Sequence, residues 1–412
     1  MFNQRKVNNF FFFFLSIIPL SIIIGPSVSL TNVLVISLFI LAILIYEKEY
    51  YFLKNSSLRL IFILYIYLVF NTLISQDFLI SLSRNMGFVR FILLFICINY
   101  FFFRHSSANN IFHYWMIILL ILISDTFIEF FLGQNILGWG GMEEPHGPRI
   151  VSFFKDEPIV GAYLSGFTLM IFGFLLQKFN HKSFLPWFFI LFSFSAIIIS
   201  GERSNTIKIF FGLILMVLFF DFMSFKKKSI IFIFTILFLT VILNQSDYLK
   251  TRYFSQFIIN FTSKEKLEKF LSQSEYFKLY RSGIAVFKNY PVFGVGNKNY
   301  RVETCNNEVE NKTHNYFCLT HPHQIYIELL AEHGLVGTII ILSIFFILMF
   351  RILLNIFISK NYIQIGSFCF IIFVFTPILP SGSLFSDFNS TILWLNISIM
   401  FASCKKTNIF SL

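Results

Sequence analysis

Long apolar stretches constrain this chain more than any other feature of its sequence. The chain has 412 residues, of which 56% are hydrophobic and 13% charged, whereas soluble domains carry about 25% charged residues. A membrane-spanning helix needs about 20 mainly apolar residues to cross about 30 Å of hydrocarbon. Apolar stretches, some of them short for this purpose, lie at residues 10–25, 28–46, 58–75, 87–103, 111–132, 159–177, 184–200, 206–222, 229–244, 335–357, 362–380 and 387–403. The sequence therefore predicts an all-α polytopic membrane protein of about twelve transmembrane helices.

The net charge of +11 would also suit a nucleic-acid-binding protein, but basic residues in a multi-span chain set its topology. With the N-terminus placed in the cytoplasm, Lys and Arg recur in alternate connections. The short opposite connections near residues 26–30 and 381–386 contain neither. This alternation predicts that both termini are cytoplasmic and that nucleic acid is not a partner. No small-residue cleavage site follows the first apolar stretch, which we interpret as a retained helix.

Three predicted outer connections are long or carry charges: residues 143–158, 200–205 and 245–322. Short outer connections normally avoid arginine, so the arginines in the first two connections indicate a functional role. Within the third, residues 274–287 have apolar side chains at roughly helical spacing. This spacing predicts a short amphipathic helix that lies on the membrane surface.

Two cysteines, Cys305 and Cys318, fall in the long outer loop. A disulfide between them would suit an oxidising compartment. A metal site is the alternative, because His314, His321 and His323 are near in sequence. Their spacing fits no known zinc pattern, so the disulfide is the favoured interpretation.

The stretch CLTHPHQIYIELLAEHGLVG, residues 318–337, predicts a polar helix just outside the membrane. Pro322 suits the first turn of this helix and Gly334 suits its C′ position. His323 then lies at a helix N-terminus, where the helix dipole and nearby arginines disfavour an imidazolium. A neutral imidazole is the form that a general base needs, although a bound pyrophosphate would act in the opposite direction. The alternative is that His321 and His323 are interfacial residues that cap the helix.

Five cations map to the predicted outer side: Arg90, Arg149, Lys155, Arg203 and Arg281. The guanidinium group pairs bidentately with phosphate oxygens, so a converging set would hold a pyrophosphate. Contact with lipid headgroups is the alternative for any single interfacial arginine. That alternative weakens for five cations on one face.

Two carboxylates, Asp125 and Glu129, stand four residues apart near the outer end of the fifth predicted span. Acidic residues in a span are costly and are usually functional or paired. We expect them to pair with one of the outer arginines.

Six stretches of the chain are similar to motifs of one family. They are RNMGFVRFILLF (84–95), ISDTFIEFFLGQNILG (123–138), RIVSFFKDEPIVGAYLSGF (149–167), SGERSN (200–205), YRSGIAVFKNYPVFGVGNKNY (280–300) and HPHQIYIELLAEHGLVG (321–337). Together they resemble the O-antigen ligase and O-antigen polymerase superfamily of bacterial envelope glycan enzymes, across roughly residues 84–340. The SGERSN turn and the histidine stretch are the most specific of the six. One departure is Gln324, which keeps the amide where the family usually has asparagine.

The resemblance implies a helical fold of the glycosyltransferase C kind and a reaction without metal or other cofactor. The donor would be a glycan linked to undecaprenyl pyrophosphate in the bacterial inner membrane, with the active site on the periplasmic face. His323 would be the base, Arg203 and Arg281 would bind the pyrophosphate, and inversion at C1 is expected. Arg149 and Arg90 would add to pyrophosphate binding, and supporting roles are expected for His321, Gln324, Lys155, Asp125 and Glu328.

The acceptor distinguishes the two activities of the superfamily. A ligase uses lipid A–core oligosaccharide and a polymerase uses a second lipid-linked glycan; we favour a ligase because the histidine signature is the better match. A lipid-linked glycan transporter is the alternative of another class, and it predicts polar residues deep in several spans. A non-catalytic membrane scaffold is a third interpretation. The chain then divides into transmembrane helices 1–9 (1–244), an extracytoplasmic loop with the amphipathic helix (245–322), and a catalytic helix with the last three spans (323–412).

Overall fold

The computed structural model describes residues 4–48, 50–140, 149–179, 181–255, 262–305 and 315–411. Within these ranges the regular structure is helical and no β-strand forms. The predicted all-α polytopic membrane fold is therefore confirmed at this level.

The helices are numbered here in chain order. They are α1 (Gln4–Ser16), α2 (Ile18–Ile24), α3 (Pro26–Glu47), α4 (Ser56–Leu73), α5 (Phe78–Gly87), α6 (Val89–Arg104), α7 (Ile111–Leu132), α8 (Val160–Phe179), α9 (Phe184–Ile199), α10 (Arg203–Leu218), α11 (Phe225–Leu243), α12 (Asp247–Lys250), α13 (Lys264–Gln273), α14 (Glu275–Asn289), α15 (Tyr300–Thr304), α16 (Ile325–Ser359), α17 (Tyr362–Val374) and α18 (Asp387–Ala402).

Six helical segments in the described part of the chain are long and apolar enough to cross a membrane: α3, α4, α5 together with α6, α7, α8, and α16. Two bent helix pairs, at α1–α2 and at α11–α12, raise this number to eight if each pair is one span. Helices α9 and α17 are also apolar but have only 16 and 13 residues, about 24 and 20 Å at the usual rise per residue. The predicted total of twelve therefore remains a prediction.

Helix α8 forms the centre of the bundle and is buried along most of its length. The backbones of α8 and α17 are in close contact. A Cβ atom at Gly173 would lie 2.1 Å from Tyr362 O, and one at Gly366 would lie 2.2 Å from Leu169 O. Such small residues allow close packing of helices in membranes. The first turns of α8, α10 and α16 meet at one end of this bundle, which we call the His323 end.

Helix α16 is broken at Gly334, whose φ of 62° and ψ of −167° interrupt the helical path. The turn from Pro291 to Gly296 fills the break. Leu335 N donates to Pro291 O at 2.8 Å, and Gly296 N donates to Glu332 O at 2.9 Å. A Cβ atom at position 334 would lie 2.4 Å from the backbone of this turn, so only glycine fits. The helix end predicted at Gly334 is therefore present as a break within a longer helix.

Candidate active site

His323 lies one residue before the N-cap of α16. The helix begins at Ile325, and the side chain of Gln324 caps it by accepting a hydrogen bond from Ile327 N at 2.8 Å. Pro322 thus precedes the helix, and its predicted place in the first turn is wrong because Gln324 takes the capping position. His323 has a φ of 54°, a left-handed conformation that histidine tolerates better than most residues but that still costs about 1–3 kcal/mol.

The imidazole rings of His321 and His323 lie together, with centroids 4.0 Å apart. Burial lowers the pKa of His323 to about 4; His321 adds to this effect and Glu328 opposes it. Burial also lowers the pKa of His321 to about 4, and the positive charge of Lys298 contributes a smaller lowering of the same pKa. Both imidazoles are therefore neutral near pH 7. The neutral state agrees with the expectation for His323, but burial is its main cause rather than the helix dipole.

Helix α14 covers His323 from one side, where the amphipathic helix was predicted. The ring of Tyr276 lies edge-on to that of His323, with centroids 6.0 Å apart and an interplanar angle of 77°. Further along α14, a Cβ atom at Gly283 would lie 2.4 Å from Ile327 Cγ2 and 3.0 Å from Pro322 Cβ. A glycine at this position therefore allows α14 to press against the His323 segment.

Arg203 is the first residue of α10, and its guanidinium is partly buried at the same end of the bundle. Its Nη1 donates to Arg252 O at 3.2 Å. Arg149, Arg252 and Tyr276 lie close enough to act on its charge. Arg149 and Tyr276 thus lie within electrostatic range of Arg203, and Tyr276 also packs edge-on against the ring of His323.

The buried carboxylate of Glu202 ties the SGERSN turn to the start of α8. It accepts hydrogen bonds from Gly161 N at 2.5 Å, Ala162 N at 3.1 Å and Asn205 Nδ2 at 2.7 Å. Burial raises the pKa of Glu202 to about 7, while these hydrogen bonds and Arg149 oppose the rise. Sequence reasoning missed Glu202; an acidic residue inside a tight turn between two apolar runs was the available signal.

Residues 188–342 match the family model described as O-antigen ligase. This segment belongs to the O-antigen ligase and polymerase superfamily. The matched O-antigen ligase segment contains His323, Arg203 and Arg281, whereas Arg149 lies before it. No curated protein matches the chain at a significant level. The resemblance predicted from the motifs is confirmed for this segment, and the match supports an O-antigen ligase or polymerase type of membrane enzyme.

Arg281, the second arginine expected in the O-antigen ligase segment, is exposed on α14. Its neighbour Tyr280 donates a hydrogen bond to Ile378 O at 3.1 Å. This bond fixes the helix that carries Arg281 to the connection between α17 and α18. A role of Arg281 in pyrophosphate binding stays a prediction.

Arg90, in contrast, is engaged in a structural ion pair outside the O-antigen ligase segment. Both Arg90 and Arg84 contact the carboxylate of Asp387, Arg84 at 2.5 Å. Asp387 stands in the first turn of α18, where the helix dipole favours an anion. The guanidinium of Arg90 thus joins α6 to the N-terminus of α18, and its binding of pyrophosphate stays a prediction.

The carboxylate of Asp125 anchors the loop that carries Arg149. Asp125 accepts hydrogen bonds from Ile136 N at 2.9 Å and from Ser152 Oγ at 2.5 Å. Glu129, one turn later, accepts from Ser152 N at 2.6 Å. The expected pairing of Asp125 with an arginine is wrong, because donors of the loop satisfy its carboxylate.

Lys155 is exposed later in the same loop, where its Nζ lies 6.0 Å from the centroid of the Trp139 ring. A contact with substrate stays a prediction for Lys155. Residues 143–148, the first part of the predicted outer connection at 143–158, lie outside the described ranges.

The connection between α17 and α18, residues 375–386, is the part of the site that sequence reasoning missed. We call it the 375–386 loop. Glu328 of α16 accepts from Ser383 Oγ and, at 3.0 Å, from Leu384 N. Lys298 donates through its Nζ to Ser383 Oγ and through its backbone N–H to Glu332 Oε2 at 2.8 Å. The carboxylate of Glu328 thus fixes the loop beside His323, and its supporting role in the reaction stays a prediction.

Cys305 and Cys318 form a disulfide with a Cα–Cα distance of 4.6 Å, the pairing favoured from the sequence. The bond joins the end of α15 to the segment that leads to His323. His314, part of the alternative metal site, lies outside the described residues. In the described part of the chain, no group of three or more His, Cys, Asp or Glu side chains is arranged to hold a metal ion.

Proposed function

We propose that this chain is an O-antigen ligase-like glycosyltransferase of the bacterial inner membrane. It transfers a glycan from undecaprenyl pyrophosphate to a hydroxyl group of lipid A–core oligosaccharide at the periplasmic face. One observation carries the proposal: Tyr276 packs edge-on against the neutral imidazole of His323 and lies within electrostatic range of the guanidinium of Arg203. A base and a pyrophosphate-binding cation thereby lie near one residue of the helix that also carries Arg281.

His323 acts as the general base. Its imidazole is half-buried and neutral near pH 7, so a ring nitrogen can accept a proton from an acceptor hydroxyl. As the acceptor oxygen attacks C1, the proton passes to that nitrogen. General-base assistance of this kind contributes about 10²–10⁴-fold to the rate.

Arg203 and Arg281 bind the leaving group. The bond between C1 and the pyrophosphate oxygen breaks as the new glycosidic bond forms, and the electron pair stays on undecaprenyl pyrophosphate. Fixed guanidinium groups stabilise this developing charge most strongly in the transition state. Arg149, near Arg203 in space, adds to the positive potential. Attack opposite the leaving group inverts the configuration at C1.

The position of three buried charged residues favours an enzyme over a transporter. Lys208 of α10 and Glu328 and Glu332 of α16 are buried, yet all three lie within the first turns of their helices, at the His323 end. A transporter would place its substrate contacts near the bilayer midplane. The polymerase activity shares the proposed site and differs only in the acceptor.

Complementation of a strain that lacks the gene tests the proposal, with surface glycan analysed by gel. His323→Ala, Arg203→Ala and Arg281→Ala should each abolish or strongly reduce the mature glycan. His113→Ala and Arg351→Ala are matched controls, because His113 contacts Lys178 and Arg351 contacts Ser56 at the other end of the bundle. Normal surface glycan with His323→Ala would refute the role of His323 as base.

The strain without the gene also distinguishes the two acceptors. Accumulation of lipid-linked polymer indicates a ligase. A surface glycan of a single repeat indicates a polymerase. Either outcome is compatible with the same three site residues, whereas unchanged surface glycan in that strain would contradict both activities.

A further inference from the structure

Lys208 is a buried cation in the second turn of α10. It lies on α10, about 7.5 Å along the helix axis from Arg203, and its exposure is 5%. Ionisable residues within membrane helices are costly and usually serve a function. Its Nζ donates a hydrogen bond to Pro380 O at 3.0 Å, in the 375–386 loop. Lys208 was not among the residues singled out from the sequence.

The peptide unit that accepts from Lys208 also donates to His323. The carbonyl of Pro380 receives the lysine, and the next backbone N–H, that of Ser381, donates to His323 O at 2.8 Å. One rigid, planar peptide group therefore connects α10 to the residue that carries the proposed base. This bond acts on His323 at the position where the backbone adopts its left-handed φ of 54°.

The same loop is held on both sides of this peptide. Tyr280 of α14 donates to Ile378 O at 3.1 Å, and Glu328 of α16 accepts from Leu384 N at 3.0 Å. These bonds set where the loop lies along α14 and α16. The bond from Lys208 sets its distance from α10, the helix that begins at Arg203.

We propose that Lys208 is a positioning residue that, through the Pro380–Ser381 peptide, holds the imidazole of His323 at a fixed distance from Arg203. This inference rests on the proposed function. Its physical basis is that base, acceptor and leaving group must lie in one geometry, and a displacement of about 1 Å can cost about 10²-fold in rate.

A merely structural role of Lys208 makes a different prediction. Methionine has a similar length and no charge. Its introduction removes the cost of burying an ammonium group, and the carbonyl of the partly exposed Pro380 can accept from water in place of Lys208. A structural lysine replaced by methionine would therefore leave both stability and kcat at or above their normal values. A positioning lysine replaced by methionine would leave stability intact and lower kcat.

The test uses the purified full-length protein in detergent, with lipid-linked glycan and acceptor extracted from membranes of a host strain that lacks the gene. Lys208→Met should lower kcat about 10- to 100-fold, with KM for the lipid-linked glycan within about twofold and an unchanged melting temperature. Lys208→Arg keeps a donor to Pro380 and should restore at least about a tenth of the lost activity. Lys228→Met is the matched control, since Lys228 Nζ donates to Leu218 O at 2.7 Å at the other end of the bundle.

Full kcat in Lys208→Met overturns the inference, as does a rise in KM without a fall in kcat. If Lys208→Met does not fold, Lys208→Arg decides: a folded variant with less than about 1% of the normal kcat contradicts positioning through this hydrogen bond. The result for His323→Ala separates the two proposals. An inactive His323→Ala with an active Lys208→Met removes only the positioning role, whereas an active His323→Ala removes the proposed base.

Discussion

The ring of Tyr276 lies edge-on to the imidazole of His323, with ring centroids 6.0 Å apart. Tyr276 also lies close enough to Arg203 to act on its charge. Arg203 and His323 are separated by 120 positions in the chain, and Tyr276 of α14 lies near both. The sequence did not indicate a role for Tyr276 at the site, because that role depends on a contact between α14 and a segment far along the chain.

Removal of the Tyr276 ring should loosen this contact. Edge-to-face aromatic pairs contribute about 0.5–1.5 kcal/mol beyond their buried area, so Tyr276→Leu should lower kcat about 2- to 10-fold in the transfer assay. Tyr276→Phe keeps the ring against His323, so its kcat should fall less than that of Tyr276→Leu. Tyr290→Leu, at the opposite end of α14, is a control away from His323. Equal activity of Tyr276→Leu and the wild type would contradict a role for this ring.

The lowered pKa of His323 predicts an unusual pH profile. A base must be neutral, so the rate falls as the pH drops through its pKa. Because the pKa of His323 is about 4 in the free protein rather than the ordinary 6.5, kcat/KM should be flat between pH 5 and 8. A measured kcat/KM that halves near pH 6.5 would contradict this prediction.

Bound pyrophosphate should change the profile of kcat. Its negative charge favours the imidazolium and raises the pKa of His323 in the complex, and kcat reports the complex whereas kcat/KM reports the free enzyme. The acid limb of kcat should therefore lie at higher pH than that of kcat/KM. Coincident limbs would indicate that the pyrophosphate does not lie near His323.

The apolar runs predicted the long helices well, because the length of such a run directly reflects the thickness of the hydrocarbon. The predicted stretch 111–132 coincides with Ile111–Leu132, and 159–177 corresponds to Val160–Phe179. The predicted stretch 362–380 is longer than the helix Tyr362–Val374, because its apolar run continues into the turn that follows the helix.

The candidate site was predictable only where residue chemistry is local. The histidine pair and Arg203 were recognised from their motifs. The Lys208–Pro380 bond could not be, because a lysine that donates to a distant backbone carbonyl leaves no pattern in the sequence. For the same reason the turn that follows Pro291 was not expected to fill the break at Gly334.

The ion pair of Arg90 predicts a stability effect rather than a binding effect. Arg90→Ala leaves the partly exposed Asp387 carboxylate with Arg84 alone. A hydrogen bond to a charged group contributes about 1.5–3 kcal/mol, and solvent screening favours the lower part of this range. The melting temperature should therefore fall while KM for the lipid-linked glycan stays unchanged. In a double-mutant cycle, Arg90→Ala and Asp387→Ala should be non-additive; a raised KM with normal stability would instead support binding of pyrophosphate by Arg90.

Gly283 tests whether α14 must press against the His323 segment. In Gly283→Ala the new methyl group would lie 2.4 Å from Ile327 Cγ2 and 3.0 Å from Pro322 Cβ, so α14 must move away. Alanine favours a helix over glycine by about 1 kcal/mol, which offsets part of the strain, so kcat should fall about 10-fold or more while the melting temperature changes little. Ile284→Ala, at the next and exposed position of α14, is the control and should retain kcat. If Gly283→Ala and Ile284→Ala have the same kcat, close contact between α14 and the His323 segment is not needed for transfer.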